Sequence, residues 1–234
     1  MNNINRGCAN HKRVEAWTID TILLTAAIIL LVALLYFEKR DSTRGRLLTK
    51  PFLSALFVAV VLTGPKPDPV YAYPVLAGLV FCLAGDVFLI FISSKTLFRA
   101  SLGSFLIGHI LYAGAFFATS RPGMLSWIVG ACFVALSGVI FARLRPRLGR
   151  MLGPVIAYII VITVMVIGAA SLLENESRDF SGRILVFSGA ILFYISDIYV
   201  ARQQFVVSRY VNRLIGLPLY YLAQFMIAYS IRFL

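Results

Sequence analysis

Apolar residues along the chain fall into long runs divided by short polar or basic segments. The runs cover Trp17–Phe37, Pro51–Thr63, Val70–Ile92, Leu97–Ala118, Met124–Ala142, Met151–Leu173, Gly182–Ala201 and Val211–Phe233. About 20 apolar residues are needed to cross the hydrocarbon core, so the pattern predicts an all-α, polytopic membrane protein with eight transmembrane helices, Pro51–Thr63 being the shortest. Pro51 suits a first helical position. Between the second and third runs, GPKPDP at Gly64–Pro69 must turn at a surface. Residues 1–16 form a polar, basic tail ahead of one transmembrane domain, 17–234. No small-residue cleavage site precedes a short apolar core there, so the first run is expected to be retained as a span.

Two of these runs contain a carboxylate. Asp86 lies in AGLVFCLAGDVFLIFI (Ala77–Ile92) and Asp197 in FSGAILFYISDIYVA (Phe187–Ala201). An ionisable side chain at the bilayer centre costs about 2.5–3.5 kcal/mol on insertion scales, so such residues are rare and usually face a bundle interior. The two stretches also resemble each other. Gly78 and Gly189 each precede the aspartate by eight positions, Gly85 and Ser196 come directly before it, and His109 and Tyr220 each follow it by 23. This reads as a weak internal repeat, predicting two parallel four-helix repeats around a central cleft. Both aspartates lie on odd-numbered spans near the C-terminal end, so they share a depth and a membrane face, and parallel-repeat symmetry brings them towards each other.

Composition agrees with a membrane protein. Of 234 residues, 60% are hydrophobic and 14% charged, with a mean hydropathy of +0.86, against about 45–50% and a quarter in soluble domains. The net charge of +12 comes from short clusters between apolar runs, which read as topology signals, and no aromatic-basic interleaving argues for nucleic acid. Loops after odd-numbered spans, counted with Arg99 and Arg213 at the adjoining helix starts, hold 14 of the 22 Lys and Arg. The positive-inside rule therefore expects both termini outside. Cys8, Cys82 and Cys132 show no disulfide or zinc spacing and read as small buried hydrophobes.

Paired carboxylates at low dielectric share protons unequally, which sets an acid beside a base. His109 and Tyr112 stand three apart on one helix face, and Tyr220 and Gln224 share another. With Ser196 beside Asp197, these groups have the depth to hold a water and orient the carboxylates. Tyr221 points off the Tyr220 face and reads as a packing or belt aromatic.

The motifs AGD (Ala84–Asp86), FLIGHILY (Phe105–Tyr112), FYISD (Phe193–Asp197) and YYLAQ (Tyr220–Gln224) resemble, in order and spacing, the YhhN-type lysoplasmalogenases. That resemblance implies a multi-pass hydrolase of the bacterial inner (cytoplasmic) membrane. Its substrate would be a vinyl-ether lysophospholipid, lysoplasmalogen, cleaved to a fatty aldehyde and glycerophosphocholine or glycerophosphoethanolamine. Vinyl-ether hydrolysis needs an acid, a negative charge near an oxocarbenium ion and a positioned water, as paired carboxylates supply in glycosidases. Asp86 and Asp197 are the expected catalytic pair, with either assignment of roles open. His109, Tyr112, Ser196, Tyr220 and Gln224 are the expected supporting and substrate-binding groups, and no metal or other cofactor is required.

The chief alternative is a small proton-coupled transporter, which also buries carboxylates in a repeat-built bundle. An intramembrane aspartyl protease fits less well, because Gly85-Asp86 comes first in the chain and Leu83 stands where a glycine is needed. A three-histidine zinc site cannot be built, since His109 is the one histidine within the apolar runs. Arg99, Arg202 and Arg209 are candidates for a substrate phosphate, although topology accounts for them equally well.

Overall fold

The computed structural model describes residues 18–91 and 94–234 in full and only the helical backbone of residues 2–17, so the expected tail and Cys8 lie outside the fully described residues. Among the described residues eight α-helices follow one another: α1 (Asn2–Lys39), α2 (Thr43–Thr63), α3 (Pro69–Leu89), α4 (Lys95–Thr119), α5 (Met124–Leu148), α6 (Leu152–Glu174), α7 (Phe180–Phe205) and α8 (Tyr210–Ser230). The chain is an all-α, polytopic membrane protein. By length and apolarity alone, six segments qualify as spans, fewer than the eight expected. One reason is that residues 124–174 run as one segment, because the 3₁₀ turn Gly149–Met151 joins α5 to α6. Fifty-one residues of straight helix would be roughly 77 Å long, far beyond a ~30 Å hydrocarbon core, and the segment folds back on itself at Gly149, whose φ of +50° suits a reversal. The other reason is α8, which carries Asn212, Arg213, Pro218, Tyr220, Tyr221 and Gln224 and is not among the six.

The basic stretch after α1 differs most from expectation. It reads as a loop, yet α1 continues to Lys39 and α2 begins at Thr43, capped by Ser42, whose hydroxyl accepts from the Gly45 amide at 3.2 Å. The second helix is thus 21 residues long, and Pro51 lies inside it. This adds two turns that carry Arg46 and Lys50 into the bundle, both buried. The second basic loop behaves alike, since α5 runs through Pro146 to Leu148. At the opposite end the turn at residues 64–68 is as expected, with Asp68 capping α3 and accepting from Arg178 at 2.6 Å.

Helices α2, α3, α4, α6, α7 and α8 pack in that order into a ring that closes where α8 meets α2, while α1 lies outside against α2 and α8 and α5 outside against α6. Advancing each number by four maps α2 on α3 to α6 on α7, α3 on α4 to α7 on α8, and α4 on α6 to α8 on α2, which is the relation two parallel repeats predict. The outward faces are apolar and exposed: Ile22, Ile28, Ile29 and Val32 on α1, Trp127 and Val134 on α5. Such a surface suits acyl chains. Cys132 is exposed on α5, contrary to its reading as a buried hydrophobe, whereas Cys82 is buried.

Gly78 lets α3 and α4 approach closely, since a Cβ there would lie 2.5 Å from the Tyr112 ring and 3.1 Å from the Gly108 carbonyl. Gly78→Val therefore overpacks this contact and is expected to cost about 1–3 kcal/mol. Thermal unfolding of the purified protein in detergent should show a lower midpoint; an unchanged midpoint would mean the contact is not tight.

Candidate active site

Asp86 sits one turn before the end of α3, and Asp197 two turns before the end of α7. Both line one cleft that opens at the end of the bundle where odd helices finish and even helices begin. Its walls are largely apolar, with Leu102, Phe105, Ile140, Ile159 and Ile162 among them.

The two carboxylates are held differently. Asp86, 1% exposed, receives Lys50 Nζ on Oδ1 at 3.0 Å and, on Oδ2, the hydroxyls of Ser54 at 2.6 Å and Tyr220 at 2.6 Å. A carboxylate offers about four lone-pair positions, so Oδ2 is filled and Oδ1 keeps one position. Lys50 is 4% exposed, and a lysine this buried beside a carboxylate is an ion pair withdrawn from solvent. Asp197, 18% exposed, accepts from Tyr158 Oη on Oδ2 at 2.7 Å and has His109 Nε2 at 3.9 Å from the same oxygen. The difference comes from α2, which brings a lysine and a serine to one aspartate, whereas α6 brings a tyrosine to the other.

Pseudo-symmetry extends to these contacts. Asp86 of α3 meets Tyr220 of α8, and Asp197 of α7 meets His109 of α4, the residue related to Tyr220 by the repeat. Each aspartate is thus addressed by the opposite repeat, which ties both halves to the cleft.

The expected supporting residues divide. Tyr220 and Ser196 line the cleft, Ser196 donating to the Gly216 carbonyl at 3.0 Å. Tyr112 and Gln224 lie behind the wall, where Tyr112 donates to Gln224 Oε1 at 2.8 Å and Gln224 Nε2 donates to Tyr220 at 3.1 Å. Their chain of hydrogen bonds fixes the tyrosine that holds Asp86. His109 is fully buried with its ring against Phe193 and Tyr158. Neither of its nitrogens makes a well-formed hydrogen bond, although the Phe105 carbonyl one turn back stands close. Tyr221, read from sequence as a packing or belt aromatic, is buried with its hydroxyl 3.2 Å from Ser54.

Sequence reasoning missed Lys50, Ser54 and Tyr158. The first two were hidden by assigning residues 38–50 to a loop; once α2 starts at Thr43, Arg46, Lys50 and Ser54 form a polar stripe at helical spacing. Tyr158 was legible as the one tyrosine of the apolar sixth run, which also holds Thr163 and Ser171. A further hydroxyl group joins Ser137 to Tyr194 at 2.7 Å and to Thr163 at 2.8 Å, with Ser137 and Tyr194 on the cleft wall. Arg99, Arg202 and Arg209 are not among the cleft residues, whereas Arg46 and Arg213 are. Among the described residues no cluster of His, Cys, Asp and Glu has the makings of a metal site.

Comparison with known proteins agrees with the motif resemblance. The chain is 31% identical over 185 residues to a cattle (Bos taurus) protein, lysoplasmalogenase TMEM86A, covering 76% of this chain and 71% of that one. It is 34% identical over 181 residues to the human (Homo sapiens) protein of that name, with the same coverage. These names point to hydrolysis and give the transporter reading no support. No solved structure matches the chain. The YhhN family profile matches residues 45–231, which takes in α2 to α8, both aspartates and every partner named above, and the chain belongs to that family.

Proposed function

We propose that the protein hydrolyses the vinyl-ether bond of a lysoplasmalogen, releasing a fatty aldehyde and glycerophosphocholine or glycerophosphoethanolamine. The observation that carries this reading is that two carboxylates with unlike partners line one apolar cleft. The relatives' names support the substrate class.

The partners suggest how the roles divide. Asp86, tied to a lysine and two hydroxyls, acts as a fixed carboxylate whose one remaining Oδ1 position holds the hydrolytic water. Asp197, nearer the open cleft and tied by one tyrosine hydroxyl, acts as the proton donor. Its proton passes to the outer alkene carbon, the π electrons form the new C–H bond, and the inner carbon becomes an oxocarbenium ion beside the carboxylate just formed. Water adds to that carbon and returns a proton to Asp197, as the acid–base residue of a retaining glycosidase does. The hemiacetal then transfers its hydroxyl proton to the ether oxygen and breaks the C–O bond, so one water is consumed and the acid is restored. Ser196 and Tyr220 line the substrate space, while Tyr112, Gln224 and His109 support it from behind.

In this reading the cleft opens on the cytoplasmic face of a bacterial inner membrane with both termini outside, because the basic clusters lie on the face where it opens.

Either Asp86→Asn or Asp197→Asn should lower aldehyde release from lysoplasmalogen at least ~100-fold, the scale of losing a general acid or base, while the protein still elutes as a folded species in detergent. Mass spectrometry of the products checks this, and near-normal turnover in either variant removes that residue from the chemistry. Lys50→Met alone strands a buried carboxylate and should cost about 3–5 kcal/mol. Combining it with Asp86→Asn should restore thermal stability without restoring turnover; a double variant no more stable than Lys50→Met would show that the pair is not energetically coupled.

A further inference from the structure

Resting on the reading above, we propose that Arg46 and Arg213, at the mouth of the cleft, form the subsite for the phosphate ester of the lipid headgroup. Both side chains line the cleft, Arg46 from the first turn of α2 and Arg213 from the first turn of α8. Their Nη1 atoms converge on one oxygen, Glu38 Oε2, at 3.5 Å and 3.0 Å. Two guanidinium groups aimed at one anionic oxygen is the arrangement that receives a phosphate. Asp41 Oδ1 also approaches them, at 3.3 Å and 3.6 Å, but Asp41 is 79% exposed and is free to swing into solvent. Arg46 further donates from Nη2 to Thr43 Oγ1 at 3.2 Å. Its Nε is buried without a partner although the side chain is only 9% exposed. A buried donor without an acceptor is costly, but Arg183 and Arg232 share this state, so it is the convergence of two guanidinium groups on one oxygen that marks the subsite.

Spacing supports the same conclusion. Arg46, Lys50 and Ser54 lie one turn apart on one face of α2, so each step inward is roughly 6 Å. Lys50 and Ser54 both touch Asp86. A phosphate at Arg46 thus leaves the short glycerol spacer of a lysophospholipid to cover the one or two steps down to the carboxylates, and the alkenyl chain to run on past Phe105 and Ile162.

The test is binding of uncleavable ligands to the full-length protein in nanodiscs, measured calorimetrically, so that it stands whether or not the vinyl ether is the true substrate. The probes are a 1-O-alkyl-glycerophosphocholine, the matching 1-O-alkylglycerol without phosphate, and glycerophosphocholine alone. Arg213→Gln and Arg46→Gln should each weaken the phospholipid about tenfold or more, as loss of a charge-assisted pair does, and leave the alkylglycerol unchanged. Arg213→Lys, which keeps the charge, should retain part of the affinity, and Glu38→Gln should leave phospholipid binding intact or tighter. Equal losses for both lipids, or no loss for either, would overturn the subsite. Glycerophosphocholine binding as tightly as the alkyl phospholipid would overturn the lipid assignment in favour of a soluble phosphate ester. Should Arg46→Gln fail to fold, the Arg213 variants decide the question alone.

Discussion

The site depends on an ion pair placed where water is scarce. Lys50 and Asp86 stand 3.0 Å apart, which at an effective dielectric near 20 gives an attraction of roughly 5–6 kcal/mol. Withdrawing the two ions from water costs several kcal/mol each, so the attraction does not carry the pair by itself. Ser54 and Tyr220 tip the balance, since hydrogen bonds to a charged group contribute about 1.5–3 kcal/mol apiece, and Tyr220 is itself held by Gln224 and Tyr112. The polar core is therefore one connected unit reaching from α2 through α3 and α8 to α4. Removing one member leaves a charge or a donor stranded, so Tyr112 and Gln224 behind the cleft wall are tied to the Asp86 carboxylate through Tyr220.

That unit also breaks an otherwise close pseudo-symmetry. The two halves supply equivalent helices, equivalent aspartates and, in Tyr220 and His109, equivalent neighbours. What differs is the helix facing each aspartate: α2 contributes Lys50 and Ser54, while α6 contributes Tyr158 within an otherwise apolar surface. The symmetric ring thus gives one repeated motif two unlike carboxylate environments, one paired with a lysine and one held by a single tyrosine hydroxyl.

Much of this was legible in the sequence, and the remainder fails for identifiable reasons. The aspartates announce themselves because ionisable residues in apolar runs are expensive, and the shared spacing of Asp86–His109 and Asp197–Tyr220 reveals the repeat. Hydropathy misplaced the start of α2 because Thr43–Lys50 is polar as a string, although its Arg46 and Lys50 point inward to carboxylates. Periodicity within a basic stretch is invisible until its partners are known. Tyr112 and Gln224 were found by position but not by role, since adjacency on a helix face does not say which side of a wall a side chain occupies. The length of α8 was apparent, but its polar residues serve the site and cost it the apolarity of a free-standing span.

The proposed chemistry requires an asymmetry of protonation, with the proton on Asp197 and the charge on Asp86. Infrared difference spectroscopy of the lipid-embedded protein reads it directly through the carbonyl stretch of a protonated carboxyl group. At neutral pH the account predicts such a band, lost in Asp197→Asn and retained in Asp86→Asn. A band that disappears with Asp86 instead, or no band at all, would contradict it.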